Sequence, residues 1–543
     1  MLILQIIIPS TLVYLTNDHF LDNINKVPQA IALWIIIFAL SIYATSSIYL
    51  FQLGRRAKSL GAILAPSSTR LPFMANYYFA KKFTCANPDV LITCVEPGMS
   101  NDPASRKSDS MFNLQNEAFY AVYTKDPQII KTVFTVPAFK DFGKNSMKEA
   151  FKEFIGSAII LSDPDQYWKY QRNLIRPFFN KQRISQVKVE NVDKLIKVFL
   201  DQAINNKAIN VADAFVRFTF DNSLEFLTGH KVDSLTIGSN AYYNAFQAIG
   251  RNIMLSLVLG PFRFLMRMIP QCSATNSIGV LKQLINEIVD KEMASDNQKQ
   301  STEKLAAKQY DNFLKYIVTK TDDRELIQNL TLNLSFAGRD STSSLLTSVF
   351  YELSENPDIF QQMQEEVLRL FGKDGLPEQG RDIVKDTKLI QAALMETLRL
   401  YPPKAMNTRS CLKDSVLTAS SGERYFVPRN TPMYFHYWLM HRDPISWGED
   451  AEKWDPYRWL DSRLERVTIN PSIYQPFSCG PRICPGSELT YQVATLVLIR
   501  FCQNFEKVER AKDVQSNVVP LVGLALQWKG GMWLRMAPYV TDY

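Results

Sequence analysis

Phe477-Ser478-Cys479-Gly480-Pro481-Arg482-Ile483-Cys484-Pro485-Gly486 is the stretch from which the fold of this chain is read. Cys484 lies two residues after Arg482 and two before Gly486, in a Gly/Pro-punctuated loop that gives way to an apolar helical pattern. A thiolate is a strong metal ligand, but it exists at neutral pH only beside positive charge, backbone N–H groups or a metal. A Gly/Pro loop aims N–H groups at the sulfur, and Gly486 removes the side chain where a flat cofactor would lie against backbone. The helix that follows brings its positive dipole end to the thiolate. Together these residues describe a cysteine-ligated haem; the bland alternative is a buried free Cys on a turn. Cys479 is the poorer candidate, since C-x4-C is not a usual zinc spacing.

The run matches F-x-x-G-x-R-x-C-x-G at every fixed position and so resembles the haem-binding loop of the cytochrome P-450 family, which the Cys-ligated haems include. That resemblance implies a mainly α fold with a small β-sheet region and a haem (iron protoporphyrin IX) whose iron takes Cys484 as axial ligand. Phe477, Arg482 and Gly486 would lie beside it.

Bulk properties narrow the remaining classes. The 543 residues are 46% apolar and 21% charged, an ordinary globular composition. A net charge of +7 spread over this length does not indicate nucleic acid. Seven Cys without C-x-x-C pairs fit a reducing compartment rather than a disulfide framework. Four His, none at H-x-x-x-H spacing, argue against a His-based metal site.

The chain divides into an anchor at 1–54, a linker and domain start at 55–115, and a catalytic domain at 116–543. No charge occurs from Val27 to Gly54, so a bilayer-spanning helix is expected over residues 30–53. Arg55, Arg56 and Lys58 follow it, which places the rest of the chain in the cytosol. Met1 to Leu15 is a second apolar run, read as a short span, an interfacial segment or part of a start-transfer signal. Pro66 to Pro72 forms a stiff connector. Ala118 to Tyr123 alternates like a strand, and Asp126-Pro127 then starts a helix. Short strands recur after residue 410, with helices between, so a small sheet sits beside a helical mass.

Three further motifs bear on chemistry. Trp168 and Arg172 share one face of a helix that opens at Asp165 and stops at Pro177. Alone, the pair equally suits a cation–π contact; by resemblance it holds a haem propionate. Lys169, Arg176, Lys181 and Arg183 surround it, either as a solvated basic face or as a docking surface for an acidic electron donor. Ala337-Gly338-Arg339-Asp340-Ser341-Thr342 lies mid-way along a helix expected from Arg324 to Asn356, ended by Pro357. Gly costs roughly 1 kcal/mol inside a helix and Ser/Thr bend helices by bonding back to carbonyls, so a kink is expected here within the helix. The segment resembles the family's A-G-x-D/E-T-T motif, which makes Asp340 the proton-relay acid and Ser341 the alcohol in place of the usual Thr. Thr342 is the second choice, turned about 100° away on the helix.

Glu396 and Arg399 form an i,i+3 pair followed by Tyr401-Pro402-Pro403, and Arg458 lies in Trp454-Asp455-Pro456-Tyr457-Arg458-Trp459. By resemblance the three form a buried structural triad, with Tyr457 where the family usually has Glu. Arg409 joins Arg482 as a further propionate partner, because Arg binds carboxylates bidentately. His441-Arg442-Asp443 mimics a kinase triplet but lacks the Asn beyond it and any phosphate loop. Met254 to Pro270 is apolar with interspersed Arg, either core or a membrane-dipping lid, and Ser295 to Lys308 reads as a polar loop.

The resemblance covers roughly residues 66 to 535 and implies haem-thiolate monooxygenation of a lipophilic small molecule. Phe218 to Gly229 and Gly448 to Ala451 resemble the fungal alkane and fatty-acid hydroxylases and their relatives that oxidise aromatic xenobiotics. It further implies electrons from a separate NADPH–cytochrome P-450 reductase, with cytochrome b5 as a second donor, at the endoplasmic reticulum membrane. Two rivals are a haem-thiolate isomerase or dehydratase working without reductase, and a membrane haem-binding sensor.

Overall fold

The computed structural model of the chain describes residues 27–65, 111–116, 119–144, 159–179, 189–203, 206–238, 240–259, 275–298, 310–375 and 381–539, with isolated positions between them. The apolar run 1–15, the connector 66–72, Lys181 and Arg183, and most of the expected lid and polar loop lie outside the described residues.

Residues Val27–Ser59 form one helix, α1, in which no charge precedes Arg55. Leu33, Ile36, Leu40, Ile48 and Phe51 are exposed along it, whereas Leu53 and Ala57 are buried. Among the described residues no helix is long and apolar enough to cross a membrane. The span expected over 30–53 is corrected accordingly. The last turns of α1 pack on the domain instead, where Leu53 and Ala57 share a core with Tyr425 and Phe426.

The expected small sheet has five strands: β1 Met111–Asn116, β2 Phe119–Thr124, β3 Phe142–Gly143, β4 Met406–Cys411 and β7 Pro432–His436. Their order is β1-β2-β7-β4-β3, with β2 and β7 parallel. A hairpin of β5 (Ser415–Thr418) and β6 (Arg424–Val427) accompanies it. Helix α2, Pro127–Phe134, starts as its sequence requires: Pro127 stands in the first turn and the Asp126 carboxylate accepts from the N–H groups of Gln128 and Ile129. Helix α3 covers Gln166–Ile175, with the Asp165 carboxylate accepting from Trp168 N–H at 2.7 Å.

The helical mass is organised by its longest described internal helix. Arg324–Glu355 forms a single 32-residue helix, capped by Asp323 and followed at once by a helix that Pro357 begins. Helix α4 is Val211–Thr228, α5 is Ala241–Leu259, and the long helix is α6. The first half of α6, from Leu326 to Phe336, belongs to one apolar core together with Phe139, Trp168 and Phe246. Its second half, from Leu345 to Leu353, belongs to another with Phe215 and Phe501. Residues 337–344 contribute to neither core. The polar motif therefore falls on the seam between two cores, where each buried large side chain contributes roughly 1.5–3 kcal/mol. Helix α7, Lys388–Leu400, and helix α8, Ser487–Asn504, complete the frame around the cysteine loop.

Candidate active site

The cysteine loop is held from behind and open in front. Cys484 N–H donates to Phe477 O at 2.9 Å and Ile483 N–H to Gly480 O at 3.0 Å, closing a tight turn. Gly480 has φ +66°, and a Cβ there would meet Phe134 O at 2.0 Å, so only glycine lets the loop lie on α2. Phe477 packs on Tyr491 with centroids 5.5 Å apart. Burial pushes the Cys484 thiol up; the N–H groups of Gly486 and Ser487, at the start of α8, and the charge of Arg172 pull the other way. A metal cation would deprotonate such a thiol outright. A Cβ on Gly486 would meet only Cys484 Sγ, at 3.9 Å, so no neighbouring side chain or distant backbone accounts for that glycine.

Positive charge gathers beside the loop, where Asp163 and Asp165 act on Arg482 from a distance. Lys144, Arg409 and Arg482 stand together with Lys404, and none forms an ion pair with a carboxylate among the described residues. Burial pushes Arg482 down to about 9, Arg409 to about 10 and Lys404 to about 8; the charge of Arg409 adds to the fall of Arg482 and Lys404, while Asp163 and Asp165 oppose it at Arg482. Lys144 is driven well below its usual range by burial, then by Arg409, Lys404 and Arg482. Lys404 presents accessible surface although protein surrounds it. Arg409 Nε and Arg482 Nε are buried without a hydrogen-bond partner. A buried cation lacking a counter-charge is costly, and a cofactor bearing two carboxylates fits these groups. Among the described residues no group of three or more His, Cys, Asp or Glu gathers to hold a bare metal ion.

Trp168 and Arg172 serve the loop from the other side. Arg482 lies over the Trp168 ring at 4.8 Å, while Arg172 Nη2 donates to Ile483 O at 2.6 Å. Arg172 thus grips the backbone next to Cys484, a contact that the pairing with Trp168 did not foretell. Lys144 and Lys404 carry no sequence signal, since lone lysines have no diagnostic spacing.

Glu396, Arg399 and Arg458 come together beneath the loop. Arg399 holds the Glu396 carboxylate bidentately, Nε at 2.9 Å and Nη2 at 2.8 Å, and donates onward to the carbonyls of His441 and Lys453. Arg458 Nε lies 3.4 Å from Glu396, and its Nη2 lies 2.9 Å from Asp450. Asp450 answers the charge that Tyr457 leaves open, and sequence reasoning missed it. His441, from the rejected kinase-like triplet, accepts from Gln475 N–H at 3.0 Å, and burial keeps it neutral by lowering it to about 3.

α6 stays helical from Arg324 to Glu355. The back-bonding that bends helices is present within it, Ser341 Oγ donating to Ala337 O at 2.9 Å. Gly338 is fixed by packing, because a Cβ there would meet Ser223 Oγ at 2.7 Å on α4. Asp340 is paired with its neighbour, Arg339 Nε lying 2.6 Å from its carboxylate. Arg339 is itself buried under the Phe246 ring at 5.4 Å. Ala337 is exposed in the middle of this otherwise buried helix, and Thr342 is buried.

Comparisons with known proteins agree with this architecture. The profile of the family described as Cytochrome P-450 matches residues 98–534. Cytochrome P-450 monooxygenase himC of Aspergillus japonicus is 32% identical over 399 residues, covering 72% of this chain and 69% of that protein. Cytochrome P-450 monooxygenase fsdH of Fusarium heterosporum is 29% identical, with 72% and 69% covered. Cytochrome P-450 52A3-B of Candida maltosa is 27% identical over 508 residues, 85% of this chain and 93% of that protein. A thiol loop beside cations that form no ion pair among the described residues, a buried Glu/Arg scaffold and a profile spanning most of the chain lead to one assignment: this chain belongs to the cytochrome P-450 family, oxygen-using monooxygenases whose cofactor is a haem-thiolate.

Proposed function

We propose that this protein is a membrane-attached monooxygenase that hydroxylates long-chain alkyl compounds, with aromatic xenobiotics as the neighbouring substrate class. The observation that carries the cofactor site is the set Lys144, Lys404, Arg409 and Arg482, four inward cations without a carboxylate partner beside the Cys484 loop. Cys484 would ligate the haem iron, and these four with Trp168 would hold its propionates. When bound, the haem supplies oxygen activation, with the thiolate favouring O–O cleavage. Arg172 and the N–H groups of Gly486 and Ser487 stabilise the thiolate charge. Phe477 and Gly486 would shape the surface that receives the haem. Asp340 and Ser341 pass protons along α6 from the Arg339 side, with Thr342 facing away from that route.

The exposed apolar side chains of α1 support attachment to the endoplasmic reticulum membrane and a lipophilic substrate. The basic residues Lys169, Arg172 and Arg176 around α3 support docking of NADPH–cytochrome P-450 reductase, with cytochrome b5 as a second donor. Titrating the purified protein with alkanes, fatty acids, aromatics and sterols while following the haem spectrum tests the reading. Shifts with alkyl or aromatic compounds are expected. A response to sterols alone overturns the substrate class, and substrate turnover without NADPH consumption would favour an isomerase.

A further inference from the structure

Helix α1 ends in a fixed turn against the hairpin. Gly61 has φ +61°; its N–H donates to Lys58 O at 3.1 Å, and Ala62 N–H donates to Ala57 O at 3.0 Å. These two bonds form the glycine-closed cap that satisfies the last carbonyls of a helix. The chain then runs beside β6, Ile63 N–H donating to Arg424 O and Phe426 N–H to Ile63 O, both at 2.8 Å. Between turn and hairpin lies an open cleft of about 470 Å³, lined by Lys58, Gly61 and Ile63 on one side and Glu423 and Arg424 on the other. Arg424 Nη1 would stand 3.3 Å from a Cβ on Gly61, so the guanidinium closes over the glycine.

The charges of this cleft are unbalanced. Arg56 nearby pairs with Asp414, whereas Lys58 and Arg424, both exposed, pair with no carboxylate among the described residues. Glu423 lines the cleft too, but its carboxylate accepts from Tyr425 Oη at 2.6 Å and forms no ion pair there. Two cations therefore face one carboxylate. The C-terminal end of α1 adds roughly half a negative charge, which is less than either cation supplies, and the cap has already engaged its carbonyls. Leu60 and Ile63, 44% and 49% exposed, flank the cations, and the exposed Phe51 lies about 10 Å before Lys58 along the helix. We propose that the cleft binds the phosphate of an anionic phospholipid, held by Lys58 and Arg424 while Leu60 and Ile63 lie against its acyl chains. A soluble phosphate satisfies the cations but leaves both apolar side chains in water, which is why the lipid is the better match.

The inference rests on the membrane attachment proposed above and names the lipid class that the attachment takes. The full chain in neutral detergent is titrated calorimetrically with dihexanoylphosphatidate, dihexanoylphosphatidylcholine and inorganic phosphate. One phosphatidate is expected to bind per chain, at least about tenfold tighter than either of the others, because it alone offers both net charge and apolar surface. Lys58→Gln and Arg424→Gln should each weaken it at least about fivefold, and Glu423→Gln should tighten it about threefold. Arg55→Gln removes the same charge outside the cleft and should stay within about twofold of wild type. Inorganic phosphate binding as tightly as phosphatidate overturns the lipid assignment. Phosphatidylcholine binding equally well, an Arg55→Gln loss as large as that of Lys58→Gln, or no binding of any of the three overturns the site. Flotation with phosphatidylcholine vesicles tests the attachment by itself: a chain that stays unbound defeats that reading, while the titration still decides the cleft.

Discussion

The cysteine loop and the α6 motif, the two walls of the proposed active site, are built on opposite terms. On the cysteine side, groups are left open: Arg409 Nε and Arg482 Nε have no partner, and a side chain on Gly486 would meet only the sulfur. On the α6 side, the motif is engaged with the protein itself. Ser223 faces Gly338, Arg339 holds Asp340, and Ala337 O takes the Ser341 hydroxyl. Unfilled groups point to a ligand directly, because a protein does not leave buried donors idle without cost. Engaged groups carry two jobs, and function has to compete with packing for them.

The contrast breaks most visibly at the sulfur. Cys484→Ser is expected to abolish the thiolate-type carbon monoxide spectrum of the reduced protein and, with it, monooxygenation. A serine variant that kept the thiolate band would transfer the ligand to Cys479, whose thiol burial pushes up to about 11, and the cysteine wall would have been misassigned.

A second test asks how firmly the α6 wall is engaged. Asp340→Asn leaves the Arg339 guanidinium, 2% exposed, without its counter-charge. Removing one partner of a buried pair costs about 3–5 kcal/mol, so urea unfolding should show a loss of that order. Adding Arg339→Leu should recover much of it, since the two side chains are coupled. If Asp340→Asn is as stable as wild type, the pair does not hold the segment and Asp340 is a free acid.

A smaller effect separates an empty cysteine wall from a filled one. Lys404 falls from 10.5 to about 8 through burial and the charge of Arg409. Between those values the unfolded chain binds more protons, so the stability of haem-depleted protein should rise with pH across that window. Carboxylates bound at the cluster restore the ammonium, and the holoenzyme should lose this slope, as should haem-depleted Lys404→Met. A slope unchanged by haem would remove Lys404 from the cofactor's surroundings.

The same contrast explains what was legible in the chain. The cysteine loop could be read because a cofactor dictates residue type at close spacing, and the Glu396/Arg399 pair because an i,i+3 spacing on one helix is preserved in the fold. Arg458 was legible with it; Asp450 was not, since it reaches Arg458 from a different turn. Lys144 and Lys404 come from separate elements and meet only in three dimensions. Arg339 had a signal that was overlooked: a guanidinium in the middle of a long buried helix requires a counter-charge, and the adjacent Asp340 was there to supply it. The span expected over 30–53 is not supported, and hydropathy along α1 does not reveal that Leu53 and Ala57, at its end, turn towards the domain.

The smallest effect tests whether Gly338 belongs to the site or to packing. Alanine at 338 gains up to about 1 kcal/mol of helix propensity, but its Cβ would stand 2.7 Å from Ser223 Oγ. A serine hydroxyl can rotate away, so Gly338→Ala alone should fall within about 1 kcal/mol of wild type, whereas Gly338→Ala with Ser223→Ala should be more stable by up to that propensity gain. Activity then decides the question. If the double variant is stabilised and hydroxylates as wild type does, Gly338 exists to let α4 approach α6. If it is stabilised yet diverts NADPH into peroxide, the glycine keeps space on the reacting side as well, and the α6 wall, like the cysteine loop, leaves room that only a bound molecule uses.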